Sequence, residues 1–116
     1  MTSVFDEDAL MEQADGDIEF LADMVTILIE DSDPLLTQVQ DAATSQDAAA
    51  LVSPAHTLKG MLANFHAPSA TAAALELESM GRKQALENVE AACDRLQGET
   101  RHLIEALQAF LKAKMT

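Results

Sequence analysis

The run Ala55-His56-Thr57-Leu58-Lys59-Gly60 brings together three residue types that can do chemistry in concert. A neutral imidazole nitrogen is a good nucleophile near neutral pH. Lys59, three residues on, places a fixed positive charge one helical turn away. Gly60, four residues on, leaves that surface without a side chain. A phosphoryl group on the ring would add negative charge and acceptor oxygens, which Lys59 can reach as a point charge. Gly60 would leave room for a partner's active site to approach. The chemistry this suits is acceptance and release of a phosphoryl group. On spacing alone, an ordinary surface histidine beside a chance glycine explains the run equally well.

Positioning such a ring requires a rigid helix, and the composition supplies helices. The chain has 116 residues, enough for one domain with a real core and without disulfides or a structural metal. Trp and Tyr are absent and only Phe5, Phe20, Phe65 and Phe110 are aromatic, so the core must be aliphatic. Ala, Leu, Glu, Gln and Met favour helix, and strand-forming residues are scarce. The expectation is all-α.

Apolar spacing divides the chain into five segments. Asp6 to Ala14 reads as a short helix capped by Asp6. Ile18, Leu21, Val25, Leu28, Ser32, Leu35 and Val39 make a 3-4 stripe on one long helix. Pro34 falls inside it, and the unbroken period predicts a bent helix rather than two. After a polar turn at Ala42 to Gln46, Leu51, Ala55, Leu58, Leu62 and Phe65 form the next stripe. There Ser53-Pro54 has the form of an N-cap and first helical residue, so a helix starts or kinks at that point. Pro68-Ser69 opens a fourth helix through Met80, with Gly81 as its C-cap candidate. Leu86, Val89, Cys93, Leu96, Thr100, Leu103, Leu107 and Phe110 line the last, which tolerates Gly98. The expected architecture is an antiparallel up-down-up-down four-helix bundle preceded by a short helix, one domain over residues 1–116. In the third helix, His56 points about 140° from the apolar stripe, with Gly60 and Ala63 beside it and Lys59 on its shoulder.

Other classes of function fit poorly. A formal charge of −13 argues against binding nucleic acid, which requires Lys and Arg, and against an anionic membrane surface. No apolar run approaches a membrane span, and the acidic N-terminus is unlike a signal peptide. Cys93 is the sole cysteine, read as a small core residue in a reducing cytoplasm. Glu99-x-x-His102 lacks the second such motif of a di-iron bundle and reads as a solvated face. The clusters Asp6-Glu7-Asp8 and Glu30-Asp31-Ser32-Asp33 lack EF-hand order, so no metal site is expected. No phosphate-binding glycine loop is present, so no nucleotide cofactor is expected either. The start at Met1 without a flanking linker suggests a free-standing chain.

His56-Thr57-Leu58-Lys59-Gly60 resembles the H-x-L-K-G core of histidine-containing phosphotransfer (Hpt) domains, the intermediates of multistep phosphorelays. The likeness extends over nearly the whole chain, through Asp17-Ile18-Glu19-Phe20-Leu21 and Leu77-Glu78 before Gly81-Arg82. It implies a four-helix bundle in which His56 is the phosphoacceptor, Lys59 steadies the phosphohistidine, and Gly60 is the steric gap for a receiver domain. Ala63 and Asn64 would lie in the docking surface. It further implies a phosphoryl carrier rather than an enzyme, cytoplasmic and monomeric. Its partners would be receiver domains of response regulators or hybrid histidine kinases, with any Mg²⁺ on the receiver. The −13 charge would favour a receiver with basic surroundings. The family often has Gly at the position of His66, which suggests a left-handed helix end there. A helical adaptor that uses the same face without phosphotransfer is the alternative.

Overall fold

The protein is described here as a computed structural model covering residues 4–116. Residues 1–3, the beginning of the acidic N-terminus, lie outside the described part. Every regular element among the described residues is a helix: α1 (Glu7–Gln13), α2 (Ile18–Thr44), α3 (Ala48–Asn64), α4 (Pro68–Lys83) and α5 (Val89–Met115). Three helices start in the same way. Asp6, Asp17 and Asp47 each accept the backbone N–H three residues on, from Ala9, Phe20 and Ala50. A carboxylate there satisfies an orphan donor and complements the helix dipole.

The ends are less conventional. Asp15, Gln46, His66 and Gln84 all take positive φ, between 54° and 56°, just beyond α1 to α4. Non-glycine residues seldom adopt this left-handed conformation. It lets the chain reverse while its amides cap the last carbonyls, as when Asp47 N–H reaches Ala42 and Ala85 N–H reaches Met80. His66 is therefore a left-handed helix stop, as its position suggested. It also bonds beyond its own turn. Its Nε2–H donates to Gln13 Oε1 at 2.7 Å, while Gln13 Nε2 donates to the Asn64 carbonyl and side chain. These bonds and Asp6 N–H to the His66 carbonyl fasten α1 across the end of α3.

Each long helix has two principal neighbours: α2 packs on α3 and α5, and α4 packs on the same two. Ten leucines, nine on these helices and Leu10 on α1, are buried almost completely, each stabilising the fold by roughly 1.5–3 kcal/mol. All five residues of the predicted α3 stripe are buried. Phe5 and Phe110 close one end edge to face, 5.6 Å between centroids.

Two expectations need correction, and one alternative is decided. No helix starts at Pro54, because Asp47 caps α3 seven residues earlier and Leu51 in its first turns is already buried, so the proline lies within α3. Leu86 precedes α5 rather than belonging to it. Gly81 is not a C-cap: it lies inside α4, and Gln84 holds the cap. The reason is packing. A Cβ on Gly81 would meet the Ala48 carbonyl and Val52 Cγ2, each at 2.9 Å. Pro34, by contrast, sits within one continuous α2 as its periodicity required.

Gly81→Ala should therefore destabilise the fold by about 1–3 kcal/mol through overpacking against backbone. Gly98, where an added Cβ would meet nothing within 4 Å, should gain up to about 1 kcal/mol as alanine. Urea unfolding midpoints should move in opposite directions; a rise for both would show that α4 can back away from α3 freely.

Candidate functional site

The outer face of α3 meets α4 around one carboxylate. Glu78 falls on the buried side of α4, along with Ala70, Ala73, Ala74, Leu77 and Gly81. A charge at such a position must be paired, and three side chains reach it. His56 Nδ1 lies 3.0 Å from Oε2. Arg82, one turn along α4, donates to the same oxygen from Nη2 at 2.8 Å and Nε at 3.1 Å. Lys59 Nζ lies 2.7 Å from Oε1. That last approach is close but poorly aimed, so Oε1 is neutralised as half of an ion pair rather than by a well-directed hydrogen bond.

These partners hold the Glu78 carboxyl at about 2, below its usual 4.5. Lys59 contributes most and Arg82 next, both outweighing the burial that disfavours the anion, and His56 adds to them. The Glu78 side chain is only 5% exposed, yet it lies beneath three surface side chains rather than deep among leucines.

An ionised carboxylate can only accept. The proton between the two groups therefore belongs to His56 Nδ1, and in the neutral ring the lone pair is on Nε2. The His56 side chain is 60% exposed, and Nε2 has no hydrogen bond to the described residues. The outcome is an oriented imidazole with its nucleophilic nitrogen toward solvent. Gly60 is exposed, and a Cβ there would meet nothing within 4 Å. Ala63 and Asn64 are also exposed.

The family model for the Hpt domain matches residues 23–110. The chain belongs to the Hpt family. It is also similar in structure to histidine-containing phosphotransfer protein B (HptB) from Pseudomonas aeruginosa PAO1, with a TM-score of 0.86. That match has 21% sequence identity and covers 97% of this chain and 98% of the other; at that identity the likeness speaks for the fold. No curated protein sequence matches the chain. Hpt domain proteins are phosphocarriers, and membership supports a histidine phosphotransfer role in phosphorelays and implies interaction with kinases and receiver domains.

Of the residues singled out from the sequence, His56, Lys59 and Gly60 share one face, and Lys59 is engaged by Glu78 rather than free. The sequence reading passed over Glu78 and Arg82 as site residues. The available signal was a carboxylate at a core position of an amphipathic helix with an arginine four residues on. Cys93 is buried and burial pushes its thiol up to about 11. Among the described residues no group of three or more His, Cys, Asp or Glu side chains is placed to hold a metal, and no helix is long and apolar enough to cross a membrane.

Because folding lowers the Glu78 pKa, its pairing stabilises the protein fully above about pH 4.5 and loses that contribution as pH falls through about 2. Acid titrations of stability should be flatter over this interval in Glu78→Gln than in wild type. Parallel curves would mean that Glu78 titrates as it does in the unfolded chain.

Proposed function

We propose that His56 is the phosphoacceptor of a phosphorelay and that Glu78 prepares it. Nε2 attacks the phosphorus of a receiver's aspartyl phosphate; the P–N bond forms as the P–O bond to the aspartate breaks, and the aspartate leaves as a carboxylate. No proton need move. The ring becomes a phospho-imidazolium that keeps its Nδ1–H, and the Glu78 carboxylate beneath it offsets the new positive charge. The reverse sequence returns the phosphoryl group to an aspartate. Lys59 meets the phosphoryl oxygens, and Gly60 leaves the approach open to the receiver, with Ala63 and Asn64 at its edge. The metal that assists at the aspartate belongs to the receiver.

The observation that carries this reading is the 3.0 Å contact of His56 Nδ1 with a carboxylate held ionised by Lys59 and Arg82. A merely exposed histidine needs no such support. We take the four long helices, joined by three to five residues, to run up-down-up-down. The protein would act as one domain over residues 1–116, as a monomer, in the cytoplasm.

Incubation with labelled, phosphorylated receivers should give wild type an acid-labile, alkali-stable label, and His56→Gln none while it stays folded. Glu78→Gln keeps the shape but loses a charge-assisted bond worth about 1.5–3 kcal/mol, so transfer should slow roughly 10- to 150-fold. Lys59→Ala should slow transfer or shorten the lifetime of the phosphohistidine; if both are unchanged, Lys59 has no part in the chemistry. Receiver binding without label, unaffected by His56→Gln, would instead establish the adaptor reading.

A further inference from the structure

The apolar stripes of α2 and α5 are each broken by a hydroxyl: Ser32 between Leu28 and Leu35, and Thr100 between Leu96 and Leu103. Both residues are buried, and Thr100 Oγ1 has no hydrogen-bond partner among the described residues. They meet at one place, the floor of a hollow of about 480 Å³ between the two helices. A second hollow of about 330 Å³ shares Asp33, Leu36 and Gln97 with the first, so the two form one groove. Its cause is local. Side chains shorter than leucine stand at both stripe positions, and the seam of α2 and α5 is left unfilled. From Ile29 to Asp41 the groove follows α2 for about 18 Å, at about 1.5 Å per residue.

This groove is remote from the phosphotransfer face. Because α2 and α4 each pack on α3 and α5, the helices follow one another around the bundle as α2, α3, α4 and α5. The α2–α5 seam therefore lies on the opposite side from the α3–α4 seam that holds His56 and Glu78. Its walls are amphipathic. Ile29, Leu36 and Ile104 offer apolar surface, and Ile29 is 36% exposed. The α2 rim carries Glu30, Asp33 and Asp41, all exposed and without an ion-pair partner among the described residues. On the α5 rim Arg101 lies 3.8 Å from Glu105 and is largely answered by it. The groove is thus apolar along its length and acidic at its edge.

We propose that the α2–α5 groove holds a basic amphipathic helix of a partner protein other than a receiver. The length suits about three turns of helix. Ile29 and Leu36, two turns apart on α2, match apolar anchors at i and i+7 of the incoming helix. Lys or Arg flanking those anchors would pair with Glu30, Asp33 and Asp41, which supplies orientation and selects against acidic segments. A second copy of this chain fits poorly, since it would bring one acidic rim against another. An occupant here leaves the imidazole of His56 uncovered. On the phosphotransfer reading, the protein would remain tethered to one partner while exchanging phosphoryl groups with another.

The probe is a fluorescent synthetic helix of about 14 residues, with Leu at i, i+3, i+4 and i+7 and Lys or Arg elsewhere. It should bind saturably at one site, and a shuffled peptide of the same composition should bind about tenfold more weakly or worse. Asp33→Lys should weaken binding about tenfold, whereas Glu12→Lys, the same charge change on α1, should leave it nearly unchanged. Ile29→Ser should weaken it about fivefold without loss of helical signal. Saturating peptide should leave phosphoryl transfer from a phosphorylated receiver to His56 at its original rate. Equal effects of Asp33→Lys and Glu12→Lys, or equal binding of the shuffled peptide, would show diffuse attraction to an acidic protein and overturn the inference. So would a peptide that blocks transfer, or sedimentation showing a dimer that Ile29→Ser dissociates, which would put a second copy in the groove. Absence of label from every receiver would overturn the phosphotransfer reading alone, because the binding measurements decide the groove without it.

Discussion

The site depends on keeping one carboxylate ionised just beneath the surface between two helices. Glu78 can be there because Arg82, Lys59 and His56 reach it; leaving a buried charge with no partner is far costlier than the net gain of the pairing suggests. Once ionised, the carboxylate dictates the rest. It fixes the His56 tautomer, holds the ring plane and keeps Lys59 beside the ring. It also leaves the cluster with a net positive charge in a molecule that is otherwise strongly acidic. A dianionic phosphoryl group would be repelled from most of this surface, and in the proposed reading this cluster is where it is received.

That arrangement in turn requires α4 to lie close against α3. Ala55 on α3 and Ala70, Ala73, Ala74 and Gly81 on α4 are all buried, and small residues are what let two helix axes approach. Gly81 lies at a close approach, where a Cβ would meet the Ala48 carbonyl and Val52. A larger residue there would push α4 outward near its C-terminus, one turn from Glu78 and beside Arg82. The distances around His56 are therefore set partly by a glycine that touches none of the charged groups. Helical packing and site geometry are here the same constraint.

The amphipathic stripes made the helices legible because they record burial directly: Leu51, Ala55, Leu58, Leu62 and Phe65 read as one face and are one face. Punctuation was less legible. Pro54 carries the local signal of a helix start, yet Asp47 is the cap that forms. The proline is tolerated because the carbonyl it leaves without a partner belongs to exposed Ala50, where water can serve it. Pro34 is accommodated likewise above exposed Glu30. Helix ends were blurred because non-glycine residues such as Gln46 and Gln84 take the left-handed turn, and nothing local announces that choice. Glu78 was missed for a different reason: its meaning comes from His56, twenty-two residues away, across a helix interface that no period within one helix can reveal.

Lys59 connects the resting site to the charged state proposed for it. At rest its ammonium neutralises Oε1, and its side chain is 29% exposed, so it is neither locked in the core nor free in solvent. A phosphoryl group on His56 Nε2 would compete for it with greater negative charge. Glu78 can release it without becoming an unpaired buried anion, because both Arg82 nitrogens and the His56 Nδ1–H remain on Oε2. The new positive charge on the ring would strengthen the bond that stays. The carboxylate thus has enough partners to lend one of them. A single Lys–Glu pair could not do this, since the move toward phosphate would leave the carboxylate bare. The presence of Arg82, one turn along α4, is what makes a mobile Lys59 compatible with a buried Glu78.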